Sequence, residues 1–214
     1  MLPREIKELY EMRKSDIERR LKEFKELFEN SNDDRIFAEL IFCLLTPQSK
    51  AKICWKAVEN LMEKDLLIHG SYEQVLRELK GVRFKRNKAK YIIEARKTFT
   101  RENEIRIKSV ISSFSDSKKA REWLVKNVKG MGYKEASHFL RNIGFGEDLA
   151  ILDRHILKNL RLLRVIEDIP KKTLTKKRYM EIENKMREFS RDIGIPLSHL
   201  DLLFWSKETG EIFK

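Results

Sequence analysis

Val128-Lys129-Gly130-Met131-Gly132-Tyr133-Lys134-Glu135-Ala136 sets two glycines at hairpin spacing between two helical patterns and puts a lysine at the start of the second. Nineteen positions after Lys134, Asp153 stands at the mouth of the next predicted helix, in Ile151-Leu152-Asp153-Arg154-His155. Glycine reaches positive φ and exposes backbone amides with no Cβ in the way. Two glycines just before a helix N-terminus are therefore expected to aim N–H donors and the helix dipole at one anion. A phosphate fits such a site, and the contact is blind to base sequence. By itself a Gly-x-Gly pair reads first as an ordinary tight turn.

Lys134 and Asp153 together shift that reading towards chemistry. Asp153 is placed as an N-cap, with its carboxylate held by backbone donors. A lysine amine becomes a nucleophile once it sheds its proton, which desolvation or nearby positive charge promotes. Taken singly, one is a surface lysine and the other a plain cap. As a pair across a groove, they suit attack on a sugar carbon.

Outward from this block, apolar residues recur at helical spacing in nearly every segment, and no convincing alternating strand is found. The pattern predicts one long helix or two abutting ones over 3–30, since Ser15 and Glu18 can form a capping box. Further helices are expected over 35–45, 49–63, from Ser71 and Gln74 towards Gly81, 86–99, 105–114 and 117–128. Beyond the hairpin they are expected over 133–143, 154–163, 175–193 and 197–208. The expected fold class is all-α, with two helical lobes around a cleft, and residues 33–145 are expected to form one lobe and 1–32 with 146–214 the other. No internal repeat or low-complexity tract interrupts the 214 residues.

Lys and Arg number 46 against 34 Asp and Glu, a formal net charge of +12. That excess favours a polyanionic partner and salt-sensitive association. Cys43 and Cys54 are the only cysteines. They are expected to be buried thiols in a reducing compartment, and two cannot build a four-thiolate cluster. No apolar run approaches the roughly 18 residues that span a bilayer, and the start lacks a signal-peptide core, so a cytoplasmic protein is expected. With 37% charged residues and only Gln48 and Gln74 as glutamines, the composition hints at a heat-adapted source.

The hairpin block and Leu152-Asp153-Arg154-His155 resemble the signature of the helix-hairpin-helix DNA glycosylases. The resemblance implies that Lys134 attacks C1′ of a damaged nucleotide and that Asp153 acts around the reacting sugar. It also implies that Gly130, Gly132, Arg154 and His155 contact the DNA backbone. Lys129 departs from the pattern, since a proline often precedes the first glycine. Leu44-Leu45-Thr46-Pro47-Gln48-Ser49 and Gly81-Val82-Arg83-Phe84 resemble the two wedge loops of that superfamily. Gln48 and Phe84 are the implied intercalating pair, flat or extended side chains that replace lost stacking.

Within the superfamily the chain is most similar to the type-2 8-oxoguanine DNA glycosylase/AP lyases. The similarity runs through Gly132–Asn142, Asp153–Leu157 and the stretch from Leu200 through Trp205 to Lys214. It implies double-stranded DNA containing oxidised guanine as the partner. The terminal carboxylate at Lys214 is implied to contribute to the lesion pocket, and Trp205 to stack on the flipped base. Trp205, Ile212 and Phe213 are expected to dock the tail. No cofactor or metal is expected, and the expected state is a monomer.

His69 and His199 read as structural or surface residues, and His138 either lines the site or packs. Lys171-Lys172 with Lys176-Lys177-Arg178 reads as a solvated basic face or a phosphate contact. Three rival readings stand beside the main one. An endonuclease III-like glycosylase for oxidised pyrimidines typically carries four cluster cysteines, and a monofunctional alkylbase glycosylase typically lacks the lysine. A non-catalytic hairpin module needs neither Lys134 nor Asp153.

Overall fold

Apolar spacing shapes the first element: Ile6, Tyr10, Ile17, Leu21 and Phe24 form one buried stripe along α1, Pro3–Asn30. The computed structural model describes residues 3–170 and 173–214. The stripe runs through Ser15 without a break, so α1 is a single helix and Ser15 caps nothing. Asn32 caps α2 (Asp33–Leu45), accepting from Arg35 N, and ten of its thirteen residues are buried. α3 (Ala51–Glu63) follows a tight loop. Ser71 and Gln74 form the expected capping box of α5 (Tyr72–Glu78), after a one-turn helix α4 (Leu66–His69) that periodicity does not predict.

α6 (Lys85–Phe99) leads into a two-residue antiparallel ladder, β1 (Thr100–Arg101) on β2 (Glu104–Ile105). That ladder corrects the strand-free expectation, though it is too short to alter the all-α class. α7 (Ile107–Ser112), α8 (Ser117–Asn127), α9 (Tyr133–Asn142), α10 (Arg154–Leu162), α11 (Lys176–Ile193) and α12 (Leu197–Thr209) complete the chain.

Buried side chains separate into two clusters. One gathers residues from Ile36 to Leu149, with Phe37, Phe42, Phe99 and Phe139 fully buried. The other joins α1 to residues from Ala150 to Phe204. α9 packs on α8 and α2 of the first cluster and also touches α1. A buried ion pair bridges the two: Arg121 in α8 donates Nη1 to Glu183 Oε2 at 2.6 Å and Nη2 to Oε1 at 3.0 Å. Glu183 Oε2 also accepts the Ala150 amide at 2.9 Å, and Arg121 Nη1 reaches Ser137 Oγ on α9 at 3.1 Å. The helix that carries Lys134 is thereby fixed to both halves of the molecule.

Cys43 and Cys54 are buried free thiols, and burial pushes both pKa values up, Cys54 to about 11. Among the described residues no helix is long and apolar enough to cross a membrane.

Candidate active site

After α8, Val128 N closes on Leu124 O at 2.9 Å and Met131 N on Val128 O at 3.2 Å, which folds the hairpin. Gly130 lies at φ +86, and a Cβ there would sit 2.4 Å from the Tyr91 ring, so both backbone and packing require glycine. Gly132 differs from expectation: at φ −96, ψ −177 it is ordinary extended backbone serving as the N-cap of α9. Its N–H is also already used, donated to Glu135 Oε2 at 3.2 Å. The hairpin therefore offers fewer amides to an anion than its two glycines suggest. Tyr133 and Lys134 supply the orphan donors of the helix start.

Lys134 is the second residue of α9 and is half-buried. Its Nζ donates to Thr46 Oγ1 at 3.3 Å and lies 3.5 Å from Glu135 Oε1. Thr46 directs its own hydroxyl proton to Cys43 O at 2.9 Å, so its oxygen is left to accept. Asp153 caps α10 as expected, with Oδ1 accepting His155 N and Ile156 N at 2.8 Å each.

Sequence reasoning missed the carboxyl that senses both residues. Asp201, only 5% exposed on α12, has its pKa raised to about 6, chiefly by burial. Arg141 opposes that rise at 3.4 Å, the Asp153 charge adds to it and the Lys134 charge opposes it. Lys134 and Asp153 thus bear on one shared group. The signal available was the lone carboxyl in the apolar run Leu200-Asp201-Leu202-Leu203-Phe204, a stretch the resemblance covers without giving Asp201 a role.

Arg154 is exposed and donates Nε to His155 Nε2 at 3.2 Å, while His155 Nδ1 lies 4.0 Å from Glu208. Gln48 is exposed at φ +56 in the α2–α3 loop. Phe84 is 54% exposed at φ +56, with the Arg83 guanidinium 5.5 Å from its ring centroid. It is therefore not a core aromatic.

The tail is docked. Phe213 packs on the first core with its ring tilted over half-buried Trp205 at 6.4 Å, and Ile212 packs on the second. The Lys214 ammonium pairs with buried Glu39 and lies 3.4 Å from the Trp55 ring centroid. Glu39 also accepts from Arg35 at 2.8 Å and Asn142 at 3.1 Å. His138 is buried edge-on to Phe42, and burial pushes its pKa well below the usual imidazole range.

Other positions fall outside this region. His199 Nδ1 meets Tyr10 Oη at 2.9 Å, and His69 is exposed. Lys176 is paired with Glu122, and Arg178 with Asp168 and Glu181. Lys171 and Lys172 lie outside the described residues. No group of three His, Cys, Asp or Glu among the described residues could hold a metal ion.

A predominantly helical frame with a glycine hairpin delivering a lysine between two cores is the architecture of a helix-hairpin-helix DNA glycosylase. The family model for 8-oxoguanine DNA glycosylase matches residues 17–195. An 8-oxoguanine DNA glycosylase/AP lyase of Fusobacterium nucleatum is 51% identical over 210 residues, 98% of this chain and 96% of that one. The crystal structure of the Methanocaldococcus jannaschii 8-oxoguanine glycosylase/lyase, in complex with 15mer DNA containing 8-oxoguanine, aligns with a TM-score of 0.87. It is 40% identical over 98% of this chain and 99% of that one. The Thermotoga maritima 8-oxoguanine DNA glycosylase also aligns at 0.87, with 34% identity over 99% and 98%. The chain belongs to the 8-oxoguanine DNA glycosylase family.

Proposed function

We propose that the chain excises 8-oxoguanine from duplex DNA and then nicks the strand, with Lys134 as nucleophile and Asp153 as its partner. The observation that supports this reading is Lys134, held in the first turn after the glycine hairpin with Nζ on Thr46 Oγ1 at 3.3 Å, in a chain of the 8-oxoguanine DNA glycosylase family.

The chemistry follows from the groups present. Lys134 Nζ, as the neutral amine, attacks C1′ while the C1′–N9 bond breaks and the base leaves with the bonding electrons. Asp153 stabilises the positive charge that develops on the sugar. Loss of a proton from the new C1′ amine and ring opening give a Schiff base. That imine acidifies C2′, and removal of a C2′ proton expels the 3′ phosphate by β-elimination.

The duplex must first release the lesion. Gln48 and Phe84 enter the stack from two loops, and the flipped base is taken towards Trp205 and Lys214. 8-Oxoguanine carries a hydrogen on N7 where guanine carries a lone pair, so an acceptor placed at N7 favours the lesion. Gly130, the free amides of Tyr133 and Lys134 that follow Gly132, and Arg154 and His155 hold the backbone beside it. The place of work is wherever the DNA is, which in this reading is the cytoplasm.

The test is incubation with duplexes containing 8-oxoguanine, thymine glycol or an alkylpurine, followed for base release and strand cleavage. Release and nicking at 8-oxoguanine alone are expected. Preference for thymine glycol would favour the oxidised-pyrimidine reading instead.

A further inference from the structure

Lys88 has a lysine's charge and a core residue's environment. It sits in the run Lys85-Arg86-Asn87-Lys88-Ala89-Lys90, yet only 4% of it is exposed while its neighbours 85–87 and 90 face solvent. Its Nζ donates to Leu45 O at 2.7 Å, Pro47 O at 2.7 Å and Ser49 Oγ at 3.1 Å. An ammonium has three protons, so its donors are fully used. The oxygens that receive them are neutral, and burial pushes the Lys88 pKa down. A buried charge held by neutral oxygens is a costly arrangement for mere packing.

What it holds is specific. Leu45 and Pro47 lie on the N-terminal side of Gln48, and Ser49 lies on its C-terminal side. Gln48 is thus gripped from both flanks while its own backbone sits in the left-handed region. Lys88 stands in the first turn of α6, the helix that Phe84 caps: its backbone N–H, with that of Asn87, donates to Phe84 O at 3.1 and 3.0 Å, so the lysine is anchored directly behind the second loop. Ser49 completes the link, since its Oγ accepts Arg83 N at 3.0 Å as well as the lysine. Ser49 and Arg83, 34 residues apart, are thus joined through one hydroxyl, and the ammonium that clasps the first loop comes from the helix that begins at the second.

We propose that Lys88, bridged by Ser49, is a positioning residue that holds Gln48 and Phe84 at a fixed separation, so that both loops enter a duplex as one rigid unit. This rests on the assignment of Gln48 and Phe84 as the intercalating pair. Neither Lys88 nor Ser49 touches the reacting atoms. Their effect falls on extrusion of the base and not on the chemistry that follows.

The experiment compares two substrates under single-turnover conditions with Lys88→Met and Ser49→Ala. The first is a duplex bearing 8-oxoguanine beside 2-aminopurine, whose fluorescence reports unstacking. The second is a preformed abasic site in a single strand, which needs no extrusion. Lys88→Met is expected to slow unstacking and duplex excision by on the order of 10- to 100-fold, as misplacement does. Ser49→Ala, the gentler change, loses about 3- to 10-fold, the worth of a hydrogen bond or two. Both should cleave the single-stranded site at the wild-type rate. Equal loss on both substrates, or no loss on the duplex, overturns the proposal. Gln48→Ala and Phe84→Ala distinguish the underlying assumption. If they leave duplex excision intact, the wedge assignment falls and takes the tie with it. If they impair it and Lys88→Met does not, the tie alone falls.

Discussion

Lys134 Nζ meets Thr46 Oγ1 at 3.3 Å, joining the start of α9 to the end of α2 across 88 residues of chain. Because the threonine hydroxyl gives its proton to Cys43 O, its oxygen can only receive from the lysine. An amine held by one N–H in this way has its lone pair turned elsewhere, which is what attack on C1′ needs. Thr46→Val keeps the shape and removes the acceptor. The expected result is a loss of roughly 3- to 10-fold in the single-turnover rate of base release, with DNA affinity unchanged. Quenched-flow measurement of base release checks it.

Gly130 and Gly132 should respond differently to alanine. Gly130→Ala forces a side chain into the left-handed region and against the Tyr91 ring, at a cost of about 1–3 kcal/mol plus displaced packing. Weaker binding to undamaged duplex and a lower Tm are expected. At Gly132 the added Cβ meets only the Glu135 carboxylate, at 3.0 Å on already extended backbone. Its cost should stay below about 1 kcal/mol. Urea unfolding and a salt titration of DNA binding separate the two variants.

Asp201 sets a pH dependence of stability. Its pKa is about 6 in the folded chain, up from an ordinary 3.8, chiefly because it is buried. The folded state then binds the proton more tightly than the unfolded state. Stability contributed by this group falls as pH rises from about 4 to about 6, and the penalty, on the order of 2–3 kcal/mol, persists above that. Asp201→Asn cannot ionise, so its unfolding free energy should lack that decline. Parallel chemical denaturation of both proteins across the window provides the check.

Arg121 and Glu183 test how the two cores are joined. Arg121→Met leaves the buried Glu183 carboxylate with only the longer Arg187 contact at 3.4 Å and the Ala150 amide, and should cost about 3 kcal/mol. Replacing both residues with apolar ones of similar volume should recover part of that loss, since the buried charge is gone, though the Ala150 amide loses its acceptor and Arg187 its partner. Urea midpoints of the single and double variants give the answer.

The helical class, the hairpin and the Asp153 cap were legible in the sequence because each is specified locally. Glycine announces a turn, an N-cap announces a helix, and apolar spacing carries through α1, α2 and α9. The α4 turn and the β1–β2 ladder escaped because neither is long enough to show a period. The helix expected from Ser49 starts at Ala51, because the Ser49 hydroxyl is taken up by Arg83 and Lys88. Buried charge was the largest blind spot. Lys88 sits in a charged run that looks solvated, while Glu39, Arg141 and Asp201 interrupt apolar segments, and only tertiary packing supplies the partners that let all four lie inside.

The claim on which the rest depends is that the Lys134 amine forms the covalent bond to the sugar. Borohydride reduction during reaction with an 8-oxoguanine duplex should convert the Schiff base into a stable protein–DNA adduct, visible as a shifted band and mapping by peptide mass spectrometry to Lys134. Lys134→Gln should give no adduct while still binding the duplex. An adduct of undiminished yield in that variant, or one mapping to another lysine, would contradict the account.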